Sequence, residues 1–408
     1  MAKSKYIILG GGMAAGYGAK EMVERGLKPG ELTIISADDA LPYERPPLSK
    51  GFLAGKDTDT GILINSRAWY REHGIEAMLK TVIENVDLPK RKLHGSRQEF
   101  EFENLLIATG ARARKMKVPG GDLEGVFYLR SMADSQRIRA AAERTKRAVV
   151  IGGGFIGMEV AAVLTQKKVA TTMIFPEERV WKRMFTPEMS RFFERYYVER
   201  GVEIIATAHV AGFEGQGSVS GVALEGGRTV PCDIVVAGVG AEPVTELFTR
   251  TEFLGRDGLE VNEYLETTAA GVYAAGDVAN YPDKIYEKRR RVEHWDNAVS
   301  QGQHWARVVM GERRPFIHVP YFFSDVFDLS YEFWGDTDGA TQTVVRGDWG
   351  SSSFSVWWLK GERLIAAFAM NRPDEERNAA PEWIQARKSV SAMKLGDKNR
   401  VIGEAIQK

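Results

Sequence analysis

Gly10-Gly11-Gly12-Met13-Ala14-Ala15-Gly16 and Gly152-Gly153-Gly154-Phe155-Ile156-Gly157 are the most informative stretches of this 408-residue chain. Each stretch follows a short apolar run, at residues 6–9 and 148–151, and each precedes a sequence of helical composition. Such glycines allow a tight turn after a strand and let backbone amides approach a pyrophosphate at the positive end of a helix. The two loops therefore predict two separate dinucleotide sites, with electrons passing between the dinucleotides.

Composition and charge indicate a globular enzyme. The chain has 55 Lys and Arg against 55 Asp and Glu, so no overall field attracts nucleic acid or an anionic membrane. The longest apolar stretch, residues 148–164, is interrupted by four glycines and Glu159, so we expect no membrane-spanning helix. Because a strand begins almost at the first residue, we expect no signal segment and a cytoplasmic location. A monomer or a homodimer is expected.

Cysteine usage excludes one kind of redox chemistry. Cys232 is the only cysteine, so we expect no internal disulfide, no cysteine-based cluster and no metal site. Its place before the apolar residues 234–237 indicates a structural side chain. Thiol–disulfide exchange, which needs a redox-active cysteine pair, is excluded.

The first loop resembles the FAD fingerprint of the flavoprotein reductases that have two dinucleotide-binding domains, with Ala15 in the third glycine position. Two further motifs of that family follow in order, at residues 105–110 and 271–277, and the resemblance implies FAD. Asp38, after the next strand, is interpreted as the partner of the adenosine ribose, with a solvated acidic turn as the alternative. The residues assigned to FAD are Gly10, Gly12, Met13, Ala14, Ala15, Asp38, Arg45, Lys50, Val82, Ala108, Thr109, Gly110, Arg130, Gly276, Asp277, Glu293, His294, Trp295 and Phe323.

The second loop is predicted to bind the nicotinamide dinucleotide. Glu177 lies 20 residues after Gly157, where a carboxylate favours the free 2′-hydroxyl of NAD and repels the 2′-phosphate of NADP. We therefore predict NADH; nearby arginines, which accommodate a phosphate, leave NADPH as the alternative. The residues assigned to NAD are Gly152, Gly154, Phe155, Ile156, Gly157, Glu159, Glu177, Arg183 and Gly240.

Residues 43–50, Tyr-Glu-Arg-Pro-Pro-Leu-Ser-Lys, resemble the segment beside the flavin in oxygenase-coupled ferredoxin reductases, monodehydroascorbate reductases and apoptosis-inducing factor. The resemblance implies an ion pair between Lys50 and Glu159. A fixed cation near a flavin stabilises negative charge that develops on the reduced ring. The alternative is that Lys50 extends over an apolar helix.

Residues 289–298 resemble the segment that follows the Gly-Asp motif in the same family, at the junction of flavin and nicotinamide. Glu293, His294 and Trp295 are therefore assigned, with Lys50 and Glu159, to the catalytic centre. His294 has two interpretations, proton donor or positioning residue. Trp295 is interpreted as a side chain that limits access to the flavin, with simple domain packing as the alternative.

Residues 320–325 resemble the aromatic wall that the third domain of this family presents to the flavin, which is why Phe323 is assigned to it. Core packing is the alternative, and Phe322 and Phe323 cannot both face the same side of a strand. Basic residues 112–117 and 288–291 are interpreted as a docking surface for an acidic ferredoxin or as plain solvated surface.

The chain resembles monodehydroascorbate reductase over nearly its whole length, but not at the substrate residues. The resemblance implies two arginines for the anionic radical, where this sequence has Val299 and Asp325. Charge-assisted hydrogen bonds contribute about 1.5–3 kcal/mol each, so binding of the ascorbate radical is expected to be weak. We predict an FAD-dependent NAD(P)H oxidoreductase of ferredoxin-reductase type, with an iron–sulfur protein or a small molecule as acceptor. The alternatives are a radical or quinone reductase, and a redox-sensing interaction protein like apoptosis-inducing factor.

The predicted fold class is α/β, with two Rossmann-like domains and a C-terminal α+β domain. The FAD-binding domain is expected at residues 1–115 and 245–312, and the NAD(P)H-binding domain at 116–244. Residues 313–408 are expected to form an interface domain around an antiparallel sheet, because runs such as 330–334, 354–359 and 364–370 show strand composition.

Overall fold

The structure, a computed structural model, describes residues 2–407. Spatial proximity divides the chain into two compact units. The first comprises the residues up to Arg45 with Thr60–Arg112 and Glu242–Phe322, and the second comprises Pro46–Asp59, Ala113–Ala241 and the residues from Phe323 onward. The three-domain division predicted above stays a prediction.

The first unit is built on a mostly parallel sheet around the strand that precedes the first glycine loop. Its hydrogen-bonded order is Glu76–Met78, Leu32–Ile35, Ala2–Leu9, Glu99–Ile107, Lys92–Gly95 and Ile83–Asp87, and Val272–Ala274 also pairs with Glu99–Ile107. The three central strands end in mostly apolar, buried segments at residues 6–9, 32–35 and 105–107, as expected where helices cover both faces of a parallel sheet.

Two helices of the first unit, Met13–Glu24 and Trp295–Val309, pack closely through glycines. A Cβ atom added at Gly302 would lie 2.3 Å from the carbonyl oxygen of Ala14, and one at Gly18 would lie 3.2 Å from the carbonyl oxygen of Gly302. The remaining elements of this unit are helix Arg67–Glu72, the 3-10 turn Glu246–Phe248, and a four-stranded sheet of Leu254–Gly255, Gly258–Glu260, Ala279–Asp283 and Lys288–Arg291.

The second unit contains a five-stranded parallel sheet around the strand that precedes the second glycine loop. Its order is Glu203–Ile205, Ala170–Ile174, Arg147–Ile151, Ile234–Ala237 and Val126–Tyr128. Beside it are an antiparallel sheet of Val210–Gln216, Ser218–Leu224 and Thr229–Pro231, the 3-10 turn Pro46–Ser49, and helices Gly51–Ala54, Met132–Ala142, Phe155–Gln166 and Pro187–Val198. The short strands Ala111–Ala113 and Ala241–Pro243 lie where the chain passes from one unit to the other.

The C-terminal part is the predicted antiparallel sheet. Its order is Tyr321–Val326, Leu329–Gly335, Arg363–Met370, Ser353–Lys360 and Gln342–Asp348, followed by helices Asp374–Gln385 and Ala392–Gly396 and the 3-10 turn Ile402–Ala405. The predicted α/β class with a C-terminal antiparallel sheet is confirmed. Within residues 2–407, no helix combines the length and the apolar character needed to cross a membrane.

Candidate functional site

The first glycine loop has the backbone that a dinucleotide requires. Gly10 has φ +128°, and a Cβ atom there would lie 2.1 Å from the carbonyl oxygen of Ala108, so only glycine fits. Gly12 precedes helix Met13–Glu24, and a Cβ atom there would meet nothing within 4 Å. The open side of Gly12 at a helix N-terminus would leave room for a pyrophosphate, as the sequence predicts.

The second loop repeats this design, and each of its three fingerprint glycines has a separate reason. Gly152 has φ +116°, and an added Cβ atom would lie 2.3 Å from the carbonyl oxygen of Gly238. At Gly157 an added Cβ atom would lie 2.0 Å from the carbonyl oxygen of Gly152, so this glycine lets the helix approach the strand. Gly154 has open space like Gly12. These are the turn, packing and phosphate-approach roles of the fingerprint.

The later FAD motifs lie on neighbouring strand ends of the first unit. Ala108 donates to the carbonyl of Leu9 at 2.8 Å, and the Thr109 hydroxyl donates to the carbonyl of Val244 at 2.7 Å. Gly110 and Gly276 have positive φ, at +67° and +79°. The amide of Gly276 donates to Oε1 of the buried Gln301 at 2.7 Å. Gln301 was missed in the sequence, because nothing in its surroundings distinguishes it from other helix residues.

Asp38 is held by its neighbours and is not a plain solvated turn. Its carboxylate accepts from the amide of Ala40 at 3.3 Å and from the Tyr43 hydroxyl at 3.0 Å, and Arg45 donates to the same hydroxyl at 2.9 Å. Asp39, by contrast, is 62% exposed in its side chain and pairs loosely with a lysine at 3.7 Å. This difference favours Asp38 as the ribose partner.

Glu159 and Lys50 form the predicted ion pair, in the second unit. The Lys50 ammonium lies 2.7 Å from Oε1 of the buried Glu159 and 5.6 Å from the ring centroid of Phe323. Two further donors, which the sequence analysis missed, reach the same carboxylate: the Ser324 hydroxyl at 2.6 Å and the Ser49 hydroxyl. Both serines adjoin residues that were singled out, which is the only signal the sequence carried.

Trp295 is oriented by a residue that the sequence analysis did not assign. Its indole N–H donates to Oε2 of Glu44 at 2.5 Å, and the Tyr17 hydroxyl donates to Oε1 of Glu44 at 2.6 Å. The two aromatic rings stand at 86°, with centroids 6.4 Å apart. Burial, and then the hydrogen bond to Glu44, raise the pKa of the Tyr17 hydroxyl well above its usual value, so this residue stays a donor.

The imidazole of His294 is half-buried, and its surroundings disfavour the protonated form. Burial lowers the pKa of its imidazole to about 4, although Asp277 and Asp296 act in the opposite direction. Its ring lies against that of Phe322, with centroids 5.1 Å apart. A neutral imidazole favours the positioning interpretation of His294 over the proton donor.

Glu293 and the basic run before it are engaged with each other and with neighbouring groups. Arg291 donates to Glu293 at 2.5 Å and to Asp257 at 2.8 Å. Arg289 donates to two backbone carbonyl oxygens, each at 2.8 Å, and Arg290 lies 3.4 Å from Asp283. Arg290 and Arg291 are therefore paired with carboxylates, whereas Arg289 is exposed and donates to backbone carbonyls; docking on this run stays a prediction.

Around the second loop, the two arginines near Glu177 differ sharply. Arg179 donates to Phe185 carbonyl at 2.8 Å and to the Ser190 hydroxyl at 2.9 Å, so its guanidinium is already occupied. Arg183 is exposed. Glu177 is half-buried, and its backbone carbonyl accepts from Thr207 at 2.9 Å.

The remaining assigned residues differ in burial, in backbone conformation and in the unit to which they belong. Met13, Ala14 and Ala15 are buried, whereas Val82 and Ile156 are 56% and 40% exposed. Gly240 has φ +104° and open space at its Cβ position. Lys50, Arg130 and Phe323, which were assigned to FAD, belong to the second unit.

Cys232 is buried, and this burial raises the pKa of its thiol to about 12. A protonated, inaccessible thiol has no redox role.

Two glycine loops on parallel sheets, with a buried lysine–carboxylate pair beside the second loop, define a two-dinucleotide oxidoreductase. Comparison with known proteins supports the same class of protein. Residues 4–302 match the pyridine nucleotide-disulphide oxidoreductase family, and residues 321–405 match the reductase C-terminal family. The chain therefore belongs to the pyridine nucleotide-disulphide oxidoreductase family, without the cysteine pair of its disulphide-reducing members.

Individual relatives divide between two activities. Monodehydroascorbate reductase 2 of Arabidopsis thaliana is 37% identical, over 96% of each chain. The structure of putidaredoxin reductase in its covalent complex with putidaredoxin has a TM-score of 0.93 and 30% identity, covering 98% of this chain and 97% of that one. A ferredoxin reductase from Rhodopseudomonas palustris has a TM-score of 0.94 and 30% identity, covering 98% and 100%. The chain is thus an FAD-dependent NAD(P)H oxidoreductase that passes electrons to an acceptor.

Proposed function

We propose that this enzyme passes electrons singly from NADH, through FAD, to an iron–sulfur protein of the ferredoxin type. The observation that carries the proposal is the character of the two positions where a radical reductase would need cations. Val299 is 8% exposed and packs in an apolar cluster with Met13 and Ala298. Asp325 is an exposed carboxylate on strand Tyr321–Val326. Neither side chain would attract an anionic substrate.

The solved structures of similar proteins also support an iron–sulfur protein as the electron acceptor. Both solved structures named above are ferredoxin reductases or reductases of a putidaredoxin, and they cover nearly the whole chain. The plant relatives favour a second candidate, a radical or quinone reductase, because they are more similar in sequence. An acceptor comparison decides between them.

The residues present fit both cofactors. Gly10, Gly12 and Gly276 would hold FAD, and Gly152, Gly154 and Glu177 would hold the nicotinamide dinucleotide. When bound, FAD supplies the conversion from two-electron to one-electron transfer. The protein residues would align the two cofactors, and Lys50 would favour negative charge on the reduced flavin. NADH is the proposed donor, because Glu177 opposes a 2′-phosphate and Arg179 is already occupied.

Three further assignments are part of this proposal. The three-domain division at residues 1–115 with 245–312, 116–244 and 313–408 follows the motifs. A cytoplasmic location is proposed, although the names of the plant relatives include both cytosolic and peroxisomal forms. A monomer or homodimer is proposed as the assembly.

The test is an acceptor panel on purified holoprotein. We expect yellow protein that NADH bleaches without oxygen, and turnover that is fastest with a [2Fe–2S] ferredoxin, slower with quinones and slowest with the ascorbate radical. The radical would be generated by ascorbate oxidase. Faster turnover with the radical than with any ferredoxin would overturn the proposal in favour of the second candidate. Slow reoxidation by every acceptor, with a change of association on NADH binding, would favour the redox-sensing alternative.

A further inference from the structure

Three hydrogen-bond donors converge on the carboxylate of Glu159. The Lys50 ammonium and the Ser324 hydroxyl reach Oε1, at 2.7 and 2.6 Å, and the Ser49 hydroxyl reaches Oε2. The donors come from segments far apart in the sequence: the turn Pro46–Ser49 with the residue after it, and the strand Tyr321–Val326. Both carboxylate oxygens therefore have a donor.

The arrangement is buried. Glu159 is 5% exposed, Ser49 is 2% exposed and Ser324 is fully buried. Water is therefore a poor substitute for either hydroxyl. A buried carboxylate that loses a donor reorients towards the donors that remain, or it stays incompletely hydrogen-bonded.

The serines and the lysine contribute differently. A lysine ammonium is a compact charge on a flexible stem of four carbons, so an ion pair with it does not fix the plane of a carboxylate. Two hydroxyl groups on different oxygens do fix that plane. The carboxylate, once fixed, also fixes where the Lys50 ammonium lies.

We propose that Ser49 and Ser324 are positioning residues for hydride transfer: they orient Glu159 and, through it, hold the Lys50 ammonium in one place. The inference rests on the proposed function, in which Lys50 favours negative charge on the reduced flavin. Electrostatic stabilisation of this kind depends on preorganisation, and a displacement of about 1 Å can cost 100-fold in rate. The two serines thus determine how effective the lysine is.

The experiment compares holoprotein variants in anaerobic stopped-flow reduction by NADH. Ser49→Ala and Ser324→Ala are each expected to slow flavin reduction, and the double variant is expected to slow it by roughly 10- to 100-fold. The primary deuterium isotope effect and the Kd for NADH should change little. The flavin midpoint potential should become more negative, because the cation is less well placed. Ser324→Thr, which keeps a hydroxyl, should restore the rate.

Ser355→Ala is the matched control. Ser355 is also fully buried in the second unit, and its hydroxyl donates to the carboxylate of Glu376 at 2.8 Å, not to Glu159. This variant should lower Tm as the serine variants do, but leave the reduction rate and the midpoint potential unchanged.

Two results would overturn the inference, and they are distinguishable. If Glu159→Gln slows reduction while the double serine variant does not, the serines are only structural and the proposed function stands. If Glu159→Gln and Lys50→Met both leave the rate and the potential unchanged, the proposed role of the ion pair fails and the inference fails with it. If the double variant does not retain FAD, the reduction rate and the midpoint potential of the two single variants test the inference instead.

Discussion

Arg179 and Arg183 lie four positions apart beside Glu177, yet the fold gives them different states. The Arg179 guanidinium donates hydrogen bonds to the Phe185 carbonyl and the Ser190 hydroxyl, whereas the Arg183 side chain is exposed. Cofactor choice is therefore expected to depend mainly on Glu177, whose carboxylate would accept from the ribose hydroxyls and repel a 2′-phosphate.

Glu177→Ala is expected to raise the ratio of kcat/KM for NADPH to that for NADH by roughly 10-fold, the value of one charge-assisted hydrogen bond. Steady-state kinetics with both cofactors measures the ratio. Glu178→Ala is the control, because Glu178 is exposed and pairs with Lys182 at 3.3 Å. An unchanged ratio in Glu177→Ala would show that selectivity resides elsewhere.

Glu44 orients the Trp295 indole through a hydrogen bond. Substitution of Trp295 tests whether the indole affects flavin reduction or flavin reoxidation. Trp295→Ala should leave flavin reduction by NADH within a few-fold while changing reoxidation by ferredoxin, quinone and oxygen to different extents. Trp295→Phe keeps an aromatic ring but loses the hydrogen bond to Glu44, and it should give intermediate values. Stopped-flow measurement of both half-reactions tests this. A common factor for all acceptors would make Trp295 structural.

His304 links stability to pH. Burial lowers the pKa of its imidazole to about 4; nearby Arg307 also lowers it, and Glu312 opposes them. The unfolded chain binds this proton near pH 6.5 and the folded chain only near pH 4, so stability is full above pH 6.5 and decreases as the pH falls towards 4. At about 1.4 kcal/mol per pKa unit, the loss from His304 approaches ~3 kcal/mol.

His304→Phe should reduce the decrease of the urea midpoint between pH 7 and 5, because phenylalanine can keep the ring contact with Phe316 without titrating. His209→Phe, at an exposed position, should leave the decrease as in the native protein. If the urea midpoint of His304→Phe decreases with falling pH as much as that of the native protein, His304 is not the group responsible for the decrease.

The helix that follows the second glycine loop shows why one motif contains glycines with unequal tolerance. At Gly157 any side chain collides with the backbone of the loop, whereas at Gly154 it would extend into open space. The same helix carries Glu159 in its first turns, so its distance from the strand also determines where the ion pair lies.

Gly154→Ala should fold normally and keep its Tm, but its Kd for NADH should rise by about 10- to 100-fold, because backbone approach to the pyrophosphate is blocked. Gly157→Ala should lower Tm as well as NADH affinity, because the helix must move away from the strand. Thermal unfolding and NADH titration of both variants distinguish these outcomes. If Gly154→Ala binds NADH normally, the pyrophosphate does not pass this glycine.

The chain as a whole combines 37% identity to a plant monodehydroascorbate reductase with Val299 and Asp325, which supply no cation for an anionic radical. Asp325→Arg, on an exposed strand position, should raise ascorbate-radical turnover several-fold. Val299→Arg would place a charge in an apolar cluster, so a lower Tm is expected when both changes are combined. Asp338→Arg, at an exposed loop position, controls for net charge. Efficient radical turnover by the unmodified protein would contradict the expectation that Val299 and Asp325 disfavour the ascorbate radical.

The amino-acid sequence alone was enough to predict both glycine loops, the order of the FAD motifs, the apolar parallel strands and three strands of the C-terminal sheet. These features depend on local requirements: positive φ, backbone approach and short apolar runs. Lys50 and Glu159 were paired only through resemblance. Docking of an acidic ferredoxin on residues 288–291 stays a prediction, but charge composition did not show that Arg291 pairs with Asp257 and Glu293.

Which polar groups form hydrogen bonds with one another depends on how the whole chain folds. Ser49 and Ser324 reach Glu159 across 110 and 165 positions of the chain, and Glu44 reaches Trp295 across 251. No local pattern encodes such contacts, because they arise where separate strands, turns and helices end against one another. The lowered pKa of His294 likewise comes mainly from burial, which depends on how the chain packs.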